Sequence, residues 1–317
     1  MKLVRFKSGT DERIGVVVGG SVVDLRGALT AALTGAGVSY DVAELQAAAR
    51  IPTSMRQFLA AGDEVTPAVQ EALAFAASYP DHDLGGRPLT TPLASTRLLA
   101  PVGDPQKIVC IGQNYRDHCI EQNQPIPERA IIFSKYPTAI TDPCAPIVLP
   151  RLSSQVDYEA ELAFVIGKRG RYIAEADAKD YIAGYMCLHD VSARDIQFGD
   201  KQWVRGKTFD TFAPCGPYLV TADEIADPHD LDIQLTLNGQ LMQSSNTSNL
   251  VFGVYNLVSY LSDVFTLEPG DIVTTGTPGG VGVFRNPPVF LKPGDVVSIT
   301  VEGLGTLTNP VVGETAV

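Results

Sequence analysis

Asp157, Glu159 and Glu161 recur at every second position of the run Val156–Gly167. In an extended strand, side chains two apart share a face, so the three carboxylates project together, and Val156, Tyr158, Ala160, Leu162, Phe164 and Ile166 form the opposite, apolar face. The carboxylate face then continues as Ala163 and Val165, which implies partial burial. Buried like charges either take up protons or share a cation. Oxygen-only donors with little sulfur or imidazole nearby point to Mg²⁺, with Mn²⁺ and Ca²⁺ as alternatives. The competing reading is an edge strand whose acidic side is solvated.

A second signal lies downstream. The apolar run Tyr181–Leu188 leads into His189-Asp190, so Asp190 sits at a strand end, where sites are often assembled; its plainer role is a turn or cap. His118 and Glu121 are three residues apart, the spacing of one helical face, so Glu121 is suited to orient the His118 imidazole and raise its basicity. The competing reading is a surface ion pair. The polar, proline-containing segment Gln122–Arg129 reads either as a lid over bound substrate or as an ordinary surface loop. Lys135 and Tyr136, just after the run Ala130–Ser134, are expected to line the pocket, and Arg116 to meet a distal acid group or face solvent. His82 and His229 read as solvated, His189 as support for Asp190, and Trp203 as core in preference to facing the pocket. The glycine-rich loop Gly276–Gly282 lacks both dinucleotide and P-loop spacing, which argues against nucleotide binding.

These groups need a scaffold. The segment LVRF and GVVVGGSVVDL predict an N-terminal hairpin turning at Gly19-Gly20, and Ala43–Ala49 and Val65–Ser78 predict helices. The polar stretch 81–88 marks a boundary, giving a small N-terminal α+β domain over residues 1–98 and a catalytic domain over 99–317. Beyond it, strands are expected at Lys107–Gly112, Glu161–Gly167, Tyr181–Leu188, Tyr218–Val220, Leu231–Leu237, Asp271–Thr275 and Val296–Val301. One helix is expected through Leu250, Val254, Leu257, Val258, Leu261 and Phe265, capped from Asn246–Asn249. Turns 268–271 and 292–295, both Pro-Gly-Asp, each launch a strand. The expected class is therefore β-rich α+β, a barrel or roll with peripheral helices.

Composition sets the limits. The chain has 317 residues, and 24 Lys and Arg against 36 Asp and Glu leave a net charge of −12, which argues against nucleic-acid and anionic-membrane partners. The five cysteines form no CxxC pair, so neither a zinc site nor a redox dithiol is expected, and free thiols in a reducing cytoplasm are. No apolar stretch reads as a secretory signal or membrane span, and the expected location is cytoplasmic.

The residues themselves then point to a family. Gly112-Gln113-Asn114-Tyr115, Asp157–Leu162, Asp190–Asp195, Arg205–Asp210 and Gly276–Gly282, in this order over about residues 100–312, closely resemble the fumarylacetoacetate hydrolase family. The resemblance implies a mixed β-sandwich roll in a homodimer, with Glu159, Glu161 and Asp190 as ligands of one divalent ion. It implies Lys207 beside that ion, Gln197 as an oxyanion-stabilising group, and Thr277 holding a substrate carboxylate. It also implies that His118 and Glu121 activate water, which favours carbon–carbon bond hydrolysis in an acylpyruvate or related β-diketo acid: a small anionic 2-oxo acid chelates the metal, and the leaving pyruvate departs as an enolate. Oxaloacetate decarboxylation, or isomerisation or hydration of 2-hydroxydienoates, are the alternatives. A catalytically silent metal-binding module is the reading from another class.

Overall fold

A computed structural model describes residues 1–314. Its centre is the carboxylate strand Ala160–Ile166, which lies inside a 12-stranded mixed sheet. On one side it pairs antiparallel with Ile182–His189, on the other with Ile272–Thr274, which in turn runs parallel to Ile108–Gly112. Ile131–Lys135 closes that end of the sheet. A five-stranded sheet, ordered Gln240–Asn246, Asp232–Leu237, Val296–Val301, Gly305–Gly313 and Ile147–Leu149, forms a second layer.

The central strand is buried along its whole length, not on one face alone. Leu162, Phe164 and Ile166 enter a core shared with the five-stranded sheet and the helix Val254–Ser262, whereas Ala163 and Val165 enter another, packed under the helices Leu25–Gly35 and Thr66–Ser78. Side-chain alternation thus feeds two cores from one strand, and the order is helices, large sheet, small sheet. The mixed, sheet-rich α+β class agrees with the expectation from sequence.

The N-terminal segment belongs to the same sheet. Lys2–Ser8 pairs with Ala213–Thr221, and Leu25, Leu29 and Val69 share a core with Met186, Leu188 and Ile272. Sheet and core therefore run continuously across the boundary placed at residue 98/99. The hairpin turn sits at Gly19-Gly20 as expected, with φ of 57° and 82°, the two positive values that favour glycine in a tight hairpin. Helices form at Tyr40–Arg50 and Thr66–Ser78, near the expected spans, but Leu25–Gly35 was not foreseen. It is capped by Asp24, whose carboxylate accepts the Gly27 N–H at 3.0 Å.

Two further expectations are corrected. The amphipathic helix begins at Val254, not at the Asn-rich stretch: Asn246 caps only a short 3₁₀ turn. His229 supplies the cap instead, accepting the Val254 N–H on Nε2 at 2.9 Å while its Nδ1 meets Asp227, so it is a structural residue and not a solvated one. The two Pro-Gly-Asp turns are alike, as expected. Asp271 accepts the Glu268 N–H at 2.8 Å and Asp295 the Lys292 N–H at 2.7 Å, each just before a strand. Among the described residues, no helix is long and apolar enough to cross a membrane.

Candidate active site

The register of the two central strands brings three carboxylates together. Ala160 pairs with His189, and the Asp190 N–H donates to the Glu159 carbonyl at 3.1 Å, so Asp190 must face the Glu159–Glu161 segment. Oxygens of Glu159, Glu161 and Asp190 all lie within 4.8 Å of one another, and all three residues are buried. Asp157, which the alternation placed on the same face, is separated from them. The strand breaks after it, and its carboxylate instead accepts the Gly282 N–H at 2.7 Å, the Val283 N–H at 3.0 Å and Arg194 Nε at 2.8 Å.

Three buried cations surround the cluster unevenly. Lys207 Nζ lies 2.5 Å from Glu159 Oε2 and 2.9 Å from Asp190 Oδ2. Lys135 Nζ lies 2.5 Å from Asp190 Oδ1 and donates to the Val191 carbonyl at 3.1 Å. Arg194 reaches Glu159 Oε1 at 2.6 Å and donates to the Gln197 side-chain oxygen Oε1 at 3.0 Å. Among the described residues, Glu161 is the one member with no cation against it; its Oε2 accepts the Gly276 N–H at 2.9 Å.

The electrostatics follow this asymmetry. Burial, reinforced by the adjacent Asp190 and Glu159 carboxylates, pushes the Glu161 carboxyl well above the usual range. Burial acts on Glu159 in the same sense, but Arg194 and Lys207 outweigh it and hold that carboxyl low. Lys207 is raised: burial opposes its charge, and Asp190 and Glu159 prevail. A hard, oxygen-only, buried cluster with one uncompensated acid fits a divalent cation.

Next to this cluster, the helix Arg116–Glu121 places its two catalytic candidates on one face. His118 Nδ1 lies 3.1 Å from Glu121 Oε2, and the other Glu121 oxygen accepts the Gly280 N–H at 2.9 Å. A carboxylate accepts, so in the neutral imidazole Nδ1 carries the hydrogen and the lone pair is on Nε2. His118, Glu159, Glu161, Gln197, Lys207 and Thr277 all line one cavity of about 330 Å³, walled by Phe133, Trp203 and Phe284. Gln122 and Gln124, from the segment following the helix, line it too.

The glycine loop is tethered by acids. Its N–H groups at Gly276, Gly280 and Gly282 donate to Glu161, Glu121 and Asp157, leaving them engaged and not free to cradle a phosphate. That agrees with the sequence argument against nucleotides. The residue that sequence reading missed here is Gln243, fully buried on the small sheet. It accepts the Ala160 N–H at 2.9 Å and donates to the Thr277 hydroxyl and the Pro278 carbonyl, each at 2.8 Å. Its partners lie 83 and 34 residues away, so no local pattern marks it. Arg194 was also unassigned, although it stands inside the quoted Asp190–Asp195 motif.

Several expected contacts are not made. Arg116 is exposed and caps the carbonyls of Ser248 and Leu250, because its helix turns it away from the cavity. Tyr136 is 57% exposed and contributes only its backbone N–H, to Thr208. Lys135 is engaged by Asp190 behind the cavity and does not line it. Trp203 lines the cavity instead of the core; it packs against Gly112, where a methyl group would collide with its ring. His189 is buried and neutral, its pKa pushed down to about 3 by burial and then by Lys135, and its Nε2 has no partner among the described residues. It thus supports Asp190 through the strand pairing and not through its ring.

Comparison with known proteins places this geometry. Residues 107–312 match the family model described as fumarylacetoacetate (FAA) hydrolase, C-terminal. The chain is 46% identical over 318 residues to the mitochondrial oxaloacetate tautomerase of Xenopus laevis, covering 98% of this chain and 90% of the relative. It is 52% identical over 264 residues to a mitochondrial oxaloacetate tautomerase of Bos taurus, covering 83% and 81%. Among solved structures, it resembles a maleylpyruvate hydrolase from Sphingobium in complex with manganese(II) ion and pyruvate, with a TM-score of 0.75, 33% identity, and coverage of 99% of this chain and 100% of that one. Both tautomerases are mitochondrial by name, which overturns the cytoplasmic expectation. Free thiols and an acidic surface are equally compatible with either compartment, so composition was the wrong evidence for it.

Proposed function

The chain belongs to the fumarylacetoacetate hydrolase family, and from that premise we propose that it interconverts the keto and enol forms of a short 2-oxo dicarboxylic acid, oxaloacetate first of all. The observation that carries this reading is His118: its Nδ1 is held by Glu121, and it lines a small cavity with Glu159 and Glu161, the two members of the acidic cluster that reach it. Glu159, Glu161 and Asp190 would hold a divalent cation, Mg²⁺ in preference to Mn²⁺ or Ca²⁺. When bound, that ion supplies a Lewis acid that acidifies the C–H bond beside a 2-oxo group.

His118 Nε2 takes a proton from C3 of the keto form. The C–H electron pair becomes the C2–C3 double bond, and the C2 oxygen takes up a proton to give the enol. Glu121 stabilises the imidazolium between these transfers and keeps Nε2 the reactive nitrogen. Lys207 and the Gln197 amide, whose carbonyl end is occupied by Arg194, present donors to the developing oxyanion. Thr277 meets a substrate carboxylate. Asp157, Glu159, Glu161 and Asp190 stand against Lys135, Arg194 and Lys207, so a divalent ion would offset the negative charge left in this cluster, which eases the approach of an anionic substrate.

Hydrolysis of an acylpyruvate is the second reading. It is supported by the same imidazole, which is equally suited to deprotonate water, and by the likeness to a maleylpyruvate hydrolase. The two separate in one experiment on the purified chain. Keto–enol interconversion of oxaloacetate is followed by ultraviolet absorbance, and hydrolysis of acetylpyruvate in parallel, after EDTA and after Mg²⁺ is restored. Metal-dependent interconversion without pyruvate release supports the tautomerase; acetylpyruvate cleavage alone overturns it in favour of the hydrolase.

A further inference from the structure

We propose that Gln243, which does not touch the cavity, is a positioning residue that aims the Thr277 hydroxyl as a hydrogen-bond donor toward an anionic oxygen of the bound 2-oxo acid. The inference rests on the substrate class proposed above and deepens it.

Hydrogen-bond polarity leaves little freedom here. The Ala160 N–H can only donate, so the Gln243 atom facing it at 2.9 Å is the carbonyl oxygen. The Pro278 carbonyl can only accept, so the atom facing it at 2.8 Å is the amide nitrogen. With both ends of the amide assigned by groups of fixed character, its orientation has one solution. The second amide hydrogen therefore points at Thr277 Oγ1, also at 2.8 Å, and the hydroxyl must accept it. The hydrogen on Thr277 is left to go elsewhere. Among the described residues that hydroxyl donates to nothing, and Thr277 lines the cavity. A hydroxyl that accepts one hydrogen bond, has no acceptor for its own hydrogen among the described residues and lines the cavity is available as a donor for a carboxylate oxygen.

Ala160 stands between Glu159 and Glu161, so one buried amide spans the carboxylate strand and the glycine loop. The strand that carries the acids and the loop that carries Thr277 are thereby keyed to a single side chain from the other sheet. Gln243 is 1% exposed, so these contacts are made inside the protein.

The test uses oxalate as the probe, because its binding in the presence of Mg²⁺ does not depend on which reaction the chain catalyses. Titration calorimetry on Gln243→Met, Thr277→Val and the double variant should give a loss of affinity of roughly 10-fold in each single variant and roughly 10-fold, not 100-fold, in the double, since both substitutions remove one directed hydroxyl. In turnover the loss should fall on KM and leave kcat nearly unchanged. A residue that merely braces the loop would lower the melting temperature and act additively with Thr277→Val. If Gln243→Met does not fold, Gln243→Glu keeps the acceptor for the Ala160 N–H, removes the donor, and runs the same cycle under the same criteria. Unchanged oxalate affinity in the Gln243 variant, or losses that multiply in the double variant, overturns this inference and leaves the reading of the site standing. A wild-type chain that binds Mg²⁺ but no oxalate overturns both.

Discussion

Glu161 Oε2 accepts the backbone N–H of Gly276 at 2.9 Å, so the one acid of the cluster without a cation beside it among the described residues is also the residue that pins the start of the glycine loop. Glu161 is therefore joined by one hydrogen bond to the loop that carries Thr277. Each consequence of this arrangement has a measurement.

Glu161→Gln removes the uncompensated charge and keeps an acceptor for Gly276. The expected outcome is a metal-free protein at least as stable as wild type that no longer gains melting temperature when Mg²⁺ is added. Thermal scans with EDTA and with Mg²⁺ check it; a variant that still gains the full shift removes Glu161 from the ligand set.

His118→Ala should slow turnover by about 10²- to 10⁴-fold, the usual worth of a positioned acid–base group. The Mg²⁺-induced stabilisation should persist, because His118 is held by Glu121 and not by the acidic cluster. Glu121→Gln is expected to fall between wild type and His118→Ala, since an amide nitrogen facing Nδ1 favours the wrong tautomer. Steady-state rates on the three proteins decide this, and an unaltered rate in His118→Ala excludes it as the proton carrier.

Asp157, fully buried, joins the loop to the helix after Asp190 through Gly282, Val283 and Arg194. Asp157→Asn sets an amide against these donors and leaves the Arg194 charge less compensated, so a loss of about 2–4 kcal/mol is expected. Denaturant unfolding measures it. A loss below about 0.5 kcal/mol, the range of ordinary surface substitutions, would show the tether to be dispensable.

Gly112→Ala pushes a methyl into the Trp203 ring, which must then move within the cavity. KM should rise several-fold, more than kcat falls, and tryptophan fluorescence should shift because Trp203 is the only tryptophan in the chain. Identical fluorescence and KM would mean that the wall adapts without cost.

Arg116→Ala and Tyr136→Phe serve as the contrasting pair. Arg116 bonds two carbonyls at the surface and Tyr136 presents an exposed ring, so KM should stay within about 2-fold of wild type in both, with a stability loss in Arg116→Ala of about 1 kcal/mol. A large KM change in either would return that residue to the substrate site.

Much of the molecule was written in local pattern. Strand periodicity, the Gly19-Gly20 turn, the Pro-Gly-Asp turns and the i,i+3 spacing of His118 and Glu121 depend on neighbours a few residues away, and these features appear where the sequence places them. The acids at 159, 161 and 190 were legible for the same reason: two share a strand face and the third ends the next central strand. Tertiary structure alone decided the rest, because it depends on register and on side chains far apart in the chain. It took Asp157 out of the acidic face by a break in the strand and moved Lys135 from the cavity to the back of Asp190. It turned Arg116 outward, brought Trp203 in, and joined Gln243 to partners that no spacing could reveal. A sequence reports the chemistry each residue carries; that Glu161 has no cation against it among the described residues, and that the Gln243 amide nitrogen meets Thr277, are properties of the assembled hydrogen bonds.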